Sequence, residues 1–214
     1  MTLAKKLPFR RALVLAAHPD DEFGCLGTVA RLVEEGAEVH YLAFSPCTAS
    51  IPDGFPEDVL QGEMVRALGV AGVPPERISL RDYPVRHFPR LRQEILEELV
   101  AVRKEIDPDL VILPALSDIH QDHHVVAREG LRAFKFASVL GFELPMNTIS
   151  FAHACFVELS GAQLARKIDG LAKYESQAFR PYANADFIRS LARVRGVQVN
   201  TEYAEAFEAV RLSF

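Results

Sequence analysis

The sequence predicts an α/β fold with a mainly parallel β-sheet, and three observations support that class. Short apolar runs that are typical of buried strands occur at residues 12–16, 38–44, 77–80 and 108–114. Stretches with a helical pattern separate these runs, at residues 28–35, 57–68 and 91–106. Repeated strand–helix units of this kind indicate right-handed βαβ crossovers, and such crossovers produce parallel sheets.

The first elements are each indicated by a different pattern. Residues 12–16 form an apolar run that ends at a polar turn containing proline, as a buried strand does. Residues 28–35 have helical spacing and end at Gly36, and residues 38–44 mix alternation with β-branched and aromatic side chains. Residues 45–56 contain three prolines and a glycine, so we expect a loop long enough to be functional.

The rest of the chain continues the alternation. A helix over residues 57–68 is expected to end at Gly69, and residues 91–106 form a strongly amphipathic helix. The buried strand at residues 108–114 is followed by a helix that runs from about residue 120 to residue 136. The last predicted elements are a strand at residues 149–157, helices at residues 164–177 and 186–195, and a short element of undecided type at residues 204–210.

The composition fits one large domain over residues 1–214, because 214 residues of which 49% are hydrophobic can fill a core. Two domains are the alternative, but no linker supports them. A net charge of -5 gives no electrostatic reason to expect nucleic acid or an anionic membrane surface as partner. No apolar run approaches the ~20 residues of a membrane span, and residues 12–17 are too short for a signal peptide. Three scattered cysteines without a CxxC pair suit a reducing compartment, so we expect a cytoplasmic protein, for which a homo-oligomer remains allowed.

Two polar motifs follow two of the predicted strands. AHPDDE occupies residues 17–22, directly after the first strand, and HQDHHVV occupies residues 120–126, after the strand at 108–114. Because open α/β sheets bind ligands at the carboxyl ends of their strands, we expect both motifs to meet at one edge of the sheet. Grouping so many carboxylates at one turn is unfavourable unless a cation joins them, and a divalent metal ion is the simplest one.

The spacing within the motifs predicts a metal site. His18 and Asp21 are three residues apart, and so are His120 and His123. Two histidines and one carboxylate, with one position left for water, are typical of catalytic zinc. We take His18, Asp21 and His123 as the ligands. Zn²⁺ is the expected ion, and Fe²⁺ or Co²⁺ would accept the same ligands.

The remaining motif residues suggest a mechanism. A divalent ion lowers the pKa of bound water from ~15.7 toward ~7, and Asp20 is placed to take the proton. The metal ion and protonated His120 would stabilise the tetrahedral oxyanion, and the leaving amine would then be protonated. Asp122 would set the tautomer or orientation of His120 through a hydrogen bond. The expected reaction class is metal-assisted hydrolysis of an amide or ester.

Each motif taken alone also allows a role without a metal ion. The acids at residues 20–22 could cap the first helix, and the histidines could be a solvated helix start. Gly24 and Gly27 could belong to a phosphate-binding turn, but their spacing is not GxGxxG and the acids would repel a pyrophosphate. A structural metal site and a nucleotide-dependent oxidoreductase are the alternatives of a different class. The occurrence of both motifs in one chain favours the catalytic metal site.

The two motifs resemble those of the PIG-L/LmbE family of zinc-dependent N-deacetylases, which act on substrates that carry N-acetylglucosamine. Softer matches are LAKYESQ at residues 171–177 and YAEAF at residues 203–207. The resemblance implies the ligands and roles given above and a single Rossmann-like, LmbE-like three-layer domain. It implies a hydrolase of linear amides in which zinc-bound water removes the acetyl group of an N-acetylated sugar, sugar nucleotide or sugar conjugate. The alternative is a metal-dependent hydrolase of another small amide or ester.

Two positions depart from the family pattern. Family members that act on sugar conjugates often have a substrate-binding arginine three residues before the glutamate of the second helix, and here Leu60 precedes Glu63. Arg86 is the candidate replacement as a substrate contact, and a solvated loop arginine is the alternative. Some members carry a tyrosine two residues before the first histidine of the second motif, where this chain has Asp118.

Overall fold

The described residues, 6–213, form a seven-stranded sheet with helices on both faces in a computed structural model. Residues 1–5 and 214 of the predicted domain lie outside this range. The strands are β1 (Arg11–Ala16), β2 (Glu38–Ala43), β3 (Ile78–Leu80), β4 (Leu110–Pro114), β5 (Ser138–Phe142), β6 (Cys155–Leu159) and β7 (Tyr203–Arg211). The helices are α1 (Leu26–Glu34), α2 (Val59–Ala71), α3 (Arg92–Ile106), α4 (Gln121–Ala133), α5 (Gly161–Leu171) and α6 (Ala185–Gln198).

The strand order is β3-β2-β1-β4-β5-β7-β6, and the first five of these strands are parallel. From β1 the chain moves outward through β2 and β3, and then crosses back to β4 on the other side of β1. This reversal leaves a crevice at the carboxyl ends of β1 and β4, which is where open α/β sheets bind ligands. The predicted α/β class with a mainly parallel sheet is therefore confirmed.

Alternation along β1 builds two separate cores. Val14 faces the core shared with α1, α2 and α5, and Leu15 faces the core shared with α3 and α4. Because successive side chains of a strand point to opposite faces, one apolar run fills both layers. The central strand is thus held from both sides, so the residues that follow it have a rigid base. No helix within residues 6–213 is long and apolar enough to cross a membrane.

Several predicted elements of the carboxyl-terminal part were wrong or incomplete. The strand predicted at residues 149–157 begins only at Cys155, and β5 was missed. The helix predicted at residues 164–177 ends at Leu171, and the undecided element at residues 204–210 lies within β7. β7 pairs antiparallel with both β5 and β6. These pairings join residues that are distant in the chain, so local hydrophobic periodicity does not predict them.

The second helix also ends later than predicted. α2 continues through Gly69 to Ala71, and Gly72 adopts the left-handed conformation at φ 92°. A helix commonly ends at a glycine in this conformation, since glycine has no Cβ to clash there. In the sequence, Gly69 and Gly72 are equally good candidates for the end of α2. The helix continues to Ala71 because Leu68 and Ala71 are both packed in the core.

A carboxylate on β7 caps the amino terminus of α1. Glu205 on β7 accepts hydrogen bonds from the N–H groups of Gly27 and Thr28, at 3.0 and 2.6 Å. The buried ammonium of Lys167 lies 2.6 Å from the same carboxylate and compensates its charge. The acids at residues 20–22 are therefore not needed to cap this helix, and that alternative loses its support.

Candidate active site

A cleft of about 290 Å³ opens where the chain leaves β1 and β4. Six of the seven predicted site residues line it: His18, Asp20, Asp21, Arg86, His120 and His123. The seventh, Asp122, is fully buried and lies against His18. Residues more than 100 positions apart in the chain therefore meet at one place, because their strands are neighbours in the sheet.

The Asp21 carboxylate is oriented by the backbone. Its Oδ2 accepts hydrogen bonds from the N–H groups of Ala17 and His18, at 2.8 and 2.9 Å. These two contacts hold the turn after β1 and leave the second oxygen, Oδ1, directed toward the histidines. Oδ1 is thus the atom that remains for a cation.

Two other carboxylates orient the histidines. His18 Nε2 lies 3.1 Å from Asp122 Oδ2, and His123 Nδ1 lies 2.8 Å from Asp118 Oδ2. Since a carboxylate only accepts, each of these ring nitrogens carries the proton. His18 Nδ1 and His123 Nε2 are therefore the nitrogens left for a metal ion, as in the carboxylate–histidine–metal arrangement of many metal sites.

The three remaining donor atoms converge. His18 Nδ1 is 3.1 Å from His123 Nε2, which is 3.3 Å from Asp21 Oδ1, and the third separation is 3.9 Å. Tetrahedral zinc with ligands at roughly 2.1 Å places its donor atoms about 3.4 Å apart. The residues present therefore fit a small divalent cation without rearrangement of the backbone.

His120 supplies a further nitrogen to the same group. The donor atoms of His18, His120 and His123 lie within 4.8 Å of one another, so the three imidazoles could hold a metal ion. The rings of His120 and His123 are 4.5 Å apart between centroids. Two overlapping ligand sets are thus present, one with Asp21 and one with His120 as the third member.

Charge at the site is arranged to hold a cation. Burial opposes the ionisation of Asp21, but the neighbouring His123 lowers the pKa of Asp21 to about 2. Burial also opposes the protonation of His123, yet Asp21 and Asp118 together raise its pKa to about 10. The carboxylates of Asp21 and Asp118 therefore supply negative charge on either side of His123, which favours a cation at this place.

Asp20 differs from Asp21 in conformation and in environment. Its backbone is in the left-handed region at φ 82°, and the residue lines the cleft. Burial raises the pKa of Asp20 well above its usual range, and the charges of Asp21 and Glu22 raise it further. A carboxylate with a raised pKa is a better proton acceptor near neutral pH.

The expected contact between the Asp122 carboxylate and His120 is not formed. Asp122 Oδ2 contacts His18, and Oδ1 accepts from the N–H of Phe88 at 3.3 Å. It is the backbone N–H of Asp122 that donates to His120 Nδ1, at 3.2 Å. The physical reason is the start of α4, where the His120 side chain caps the free N–H of Asp122 and the Asp122 side chain is buried.

Arg86 lies at the mouth of the cleft. It is exposed, its φ is 71°, and its N–H donates to Asp122 Oδ2 at 2.5 Å. Its Nη2 lies 3.3 Å from the hydroxyl oxygen of Ser50 on the loop after β2. Leu60, where the family resemblance leads us to expect arginine, also lines the cleft. The structure thus brings the predicted replacement and the substituted position to the same site.

Several residues of the site had not been singled out from the sequence. Asp118 and Tyr174 hold other site residues, and the further side chains that line the cleft include Asn147, Arg180 and Tyr182. Asp118 stands two residues before the second motif, a position that could have identified it as a partner of a histidine. Asn147 follows β5, which was missed. Arg180 and Tyr182 lie between the two helices predicted at residues 164–177 and 186–195, in a stretch without a motif that would mark them.

Replacing Asp118 by asparagine should weaken metal binding by about 10–100-fold, as loss of a hydrogen-bonding carboxylate behind a ligand typically does. The neutral amide would accept a weaker hydrogen bond from His123 Nδ1 and would make Nε2 a poorer donor to the metal. Competition with a chromophoric chelator measures the affinity. The control is Asp82→Asn at an exposed aspartate. Equal affinities for both variants would show that Asp118 does not support His123.

Comparisons with known proteins identify a family and relatives for this chain. The family model described as PIG-L: GlcNAc-PI de-N-acetylase matches residues 13–134. The uncharacterized deacetylase YaiS of Escherichia coli (strain K12) is 27% identical over 172 residues, which cover 77% of this chain and 90% of that protein.

Solved structures share the fold at lower identity. N,N'-diacetylchitobiose deacetylase from Pyrococcus horikoshii superposes with a TM-score of 0.77 at 19% identity, covering 94% of this chain and 84% of that one. The 4-carboxy-2-hydroxymuconate hydratase GalB from Pseudomonas putida KT2440 has a TM-score of 0.74 at 20% identity, covering 96% and 98%. The same fold therefore carries more than one reaction, and the residues of the site must decide between them.

Proposed function

Since the chain belongs to the PIG-L family of GlcNAc-PI de-N-acetylases, we propose that it is a metal-dependent deacetylase of an N-acetylated sugar, sugar nucleotide or sugar conjugate. The observation that carries this proposal is the convergence of His18 Nδ1, His123 Nε2 and Asp21 Oδ1 within 3.1–3.9 Å. The alternative within the same class is hydrolysis of another small amide or ester, because the metal chemistry does not select the acyl group.

His18, Asp21 and His123 would hold the ion, for which zinc is the first choice and Fe²⁺ or Co²⁺ are alternatives. When bound, the ion supplies Lewis acidity that makes water a nucleophile at neutral pH and polarises a carbonyl. Three protein ligands leave a coordination position free, which favours a catalytic over a structural role. The cleft beside these residues provides room for a substrate.

Asp20 acts as the general base in this proposal. Its carboxylate lines the cleft beside the ligands and has a raised pKa, so it can accept the proton of the attacking water molecule. The same carboxyl group can then pass that proton to the amine that leaves. The Asp20 side chain is not needed as a ligand, since Asp21 already provides the carboxylate oxygen.

His120 stabilises the oxyanion as a neutral imidazole. Its Nδ1 accepts the N–H of Asp122, so the ring proton must be on Nε2. From Nε2 it can donate to the carbonyl oxygen as negative charge develops there. Because burial and the neighbouring histidines also lower the pKa of His120 to about 4, we prefer this role to that of a protonated general acid.

We propose Arg86 as the substrate contact at the cleft mouth. The Arg86 side chain is exposed, and its backbone N–H donates to Asp122. Asp122 also orients His18, so the proposed substrate contact is coupled to a metal ligand. In this proposal the Asp122 carboxylate orients the ring of His18 rather than that of His120. Its two oxygens bind His18 and the loop that carries Arg86 and Phe88.

The direct test is acetate release from a panel of N-acetylated hexosamines, sugar nucleotides, sugar conjugates and acetate esters, before and after removal of metal. We expect the chelated protein to lose activity and to recover it on addition of zinc, iron or cobalt ions. Turnover that persists after complete removal of metal would exclude the mechanism. Release from esters alone would exclude the N-acetylated sugar while leaving the metal chemistry in place.

A further inference from the structure

The sequence stretch LAKYESQ at residues 171–177 has no role in the chemistry above, although its tyrosine reaches the site. We propose that Tyr174 is a positioning residue that holds Asp20 in its left-handed conformation. The Asp20 N–H donates to the Tyr174 hydroxyl oxygen at 3.0 Å, and within residues 6–213 this hydroxyl is the partner of that N–H. The inference rests on the proposed function only for its kinetic consequence.

The hydroxyl group of Tyr174 is held by a buried hydrogen-bond network. Its hydroxyl donates to Glu22 Oε1 at 2.5 Å, and Tyr41 donates to the other oxygen of Glu22 at 2.8 Å. All three side chains are buried, so these hydrogen bonds are not exchanged for water. The hydroxyl therefore cannot rotate freely, and its lone pairs point at the Asp20 N–H.

The backbone beside Tyr174 is anchored to a different helix. The Glu63 carboxylate on α2 accepts hydrogen bonds from the N–H and hydroxyl of Ser176, at 2.9 and 2.6 Å. Both residues are buried. Thus α2 holds the turn after α5, and that turn places the tyrosine against the loop after β1.

Asp20 needs such support because its conformation is unfavourable. A non-glycine residue at φ 82° is uncommon, and its side chain makes no hydrogen bond that caps the following turn. Without the tyrosine hydroxyl, the N–H would lose its buried partner and Asp20 could relax toward water. The carboxylate would then leave the position from which it takes a proton.

The test compares Tyr174→Phe with Tyr41→Phe. Each variant removes one hydroxyl and one hydrogen bond to Glu22, but only the first removes the partner of Asp20. We expect amide hydrogen exchange at Asp20, measured by NMR, to become about 10-fold faster in Tyr174→Phe and to stay unchanged in Tyr41→Phe. Equal exchange at Asp20 in the two variants would overturn the inference, whether or not the protein is a deacetylase.

Kinetics supply the second measurement. We expect Tyr174→Phe to lower kcat about 10-fold with KM and metal content unchanged, and Tyr41→Phe to have little effect. In an Asp20→Asn background the same substitution should change kcat by less than about 2-fold, because the group that it positions is already gone. An equal loss of kcat in both backgrounds would show that Tyr174 acts elsewhere. Absence of acetate release by the unsubstituted protein would count against the proposed function, and the exchange rates would still decide the role of Tyr174.

Discussion

Replacing Asp20 by asparagine is expected to lower kcat by about 10²–10⁴-fold while the protein keeps its metal, because a general base contributes roughly that factor. Asparagine has nearly the same shape and tolerates the left-handed conformation that Asp20 adopts at φ 82°. The backbone hydrogen bond to Tyr174 is retained, so the change removes the proton acceptor alone. Steady-state acetate release and metal analysis of the same sample measure the two properties.

The matched control is Asp169→Asn, which makes the same change on α5, away from the cleft. It should leave kcat and metal content unchanged. Turnover of Asp20→Asn within about 3-fold of the unsubstituted protein would remove Asp20 from the mechanism. Loss of the metal in that variant would instead make Asp20 a ligand, contrary to the geometry of Asp21.

Replacing His123 by alanine is expected to abolish both metal binding and turnover. His123 provides one of three converging donor atoms, and its loss should exceed the roughly 10–100-fold weakening expected for an outer partner such as Asp118. The variant should also be less stable, since Asp21 and Asp118 would lose the partner that compensates their buried charges. Metal analysis after dialysis, acetate release and thermal unfolding report the three effects.

His124→Ala is the control, because it removes the same side chain from the next position, where α4 is exposed. It should retain metal, turnover and stability.

His120→Ala separates the two overlapping ligand sets. We expect it to retain the metal and lose turnover, as an oxyanion partner would. Loss of metal from His120→Ala, together with its retention in Asp21→Asn, would establish the three imidazoles as the ligands.

Much of the candidate site could be predicted from the sequence, because each motif directly follows its strand in the chain. The apolar run at β1, the run at β4 and the polar residues that follow each of them are contiguous, and parallel pairing brings their ends together. The residue types and their spacing therefore indicate metal chemistry without knowledge of the fold. The predicted strand–helix alternation is correct in kind up to α4 for the same reason, since hydrophobic periodicity is a property of short stretches.

What the tertiary structure alone decided depends on residues that are distant in the chain. It selected the donor nitrogen of each histidine through Asp118 and Asp122, and it directed Asp122 to His18 rather than to His120. It also assigned Glu205 to the start of α1 and Tyr174 to the Asp20 backbone. A hydrogen bond depends on distances of a few tenths of an ångström, and these are determined by the packing of whole helices and strands. Residue types and spacing determined which chemistry is available here, and packing determined which atom performs each part of it.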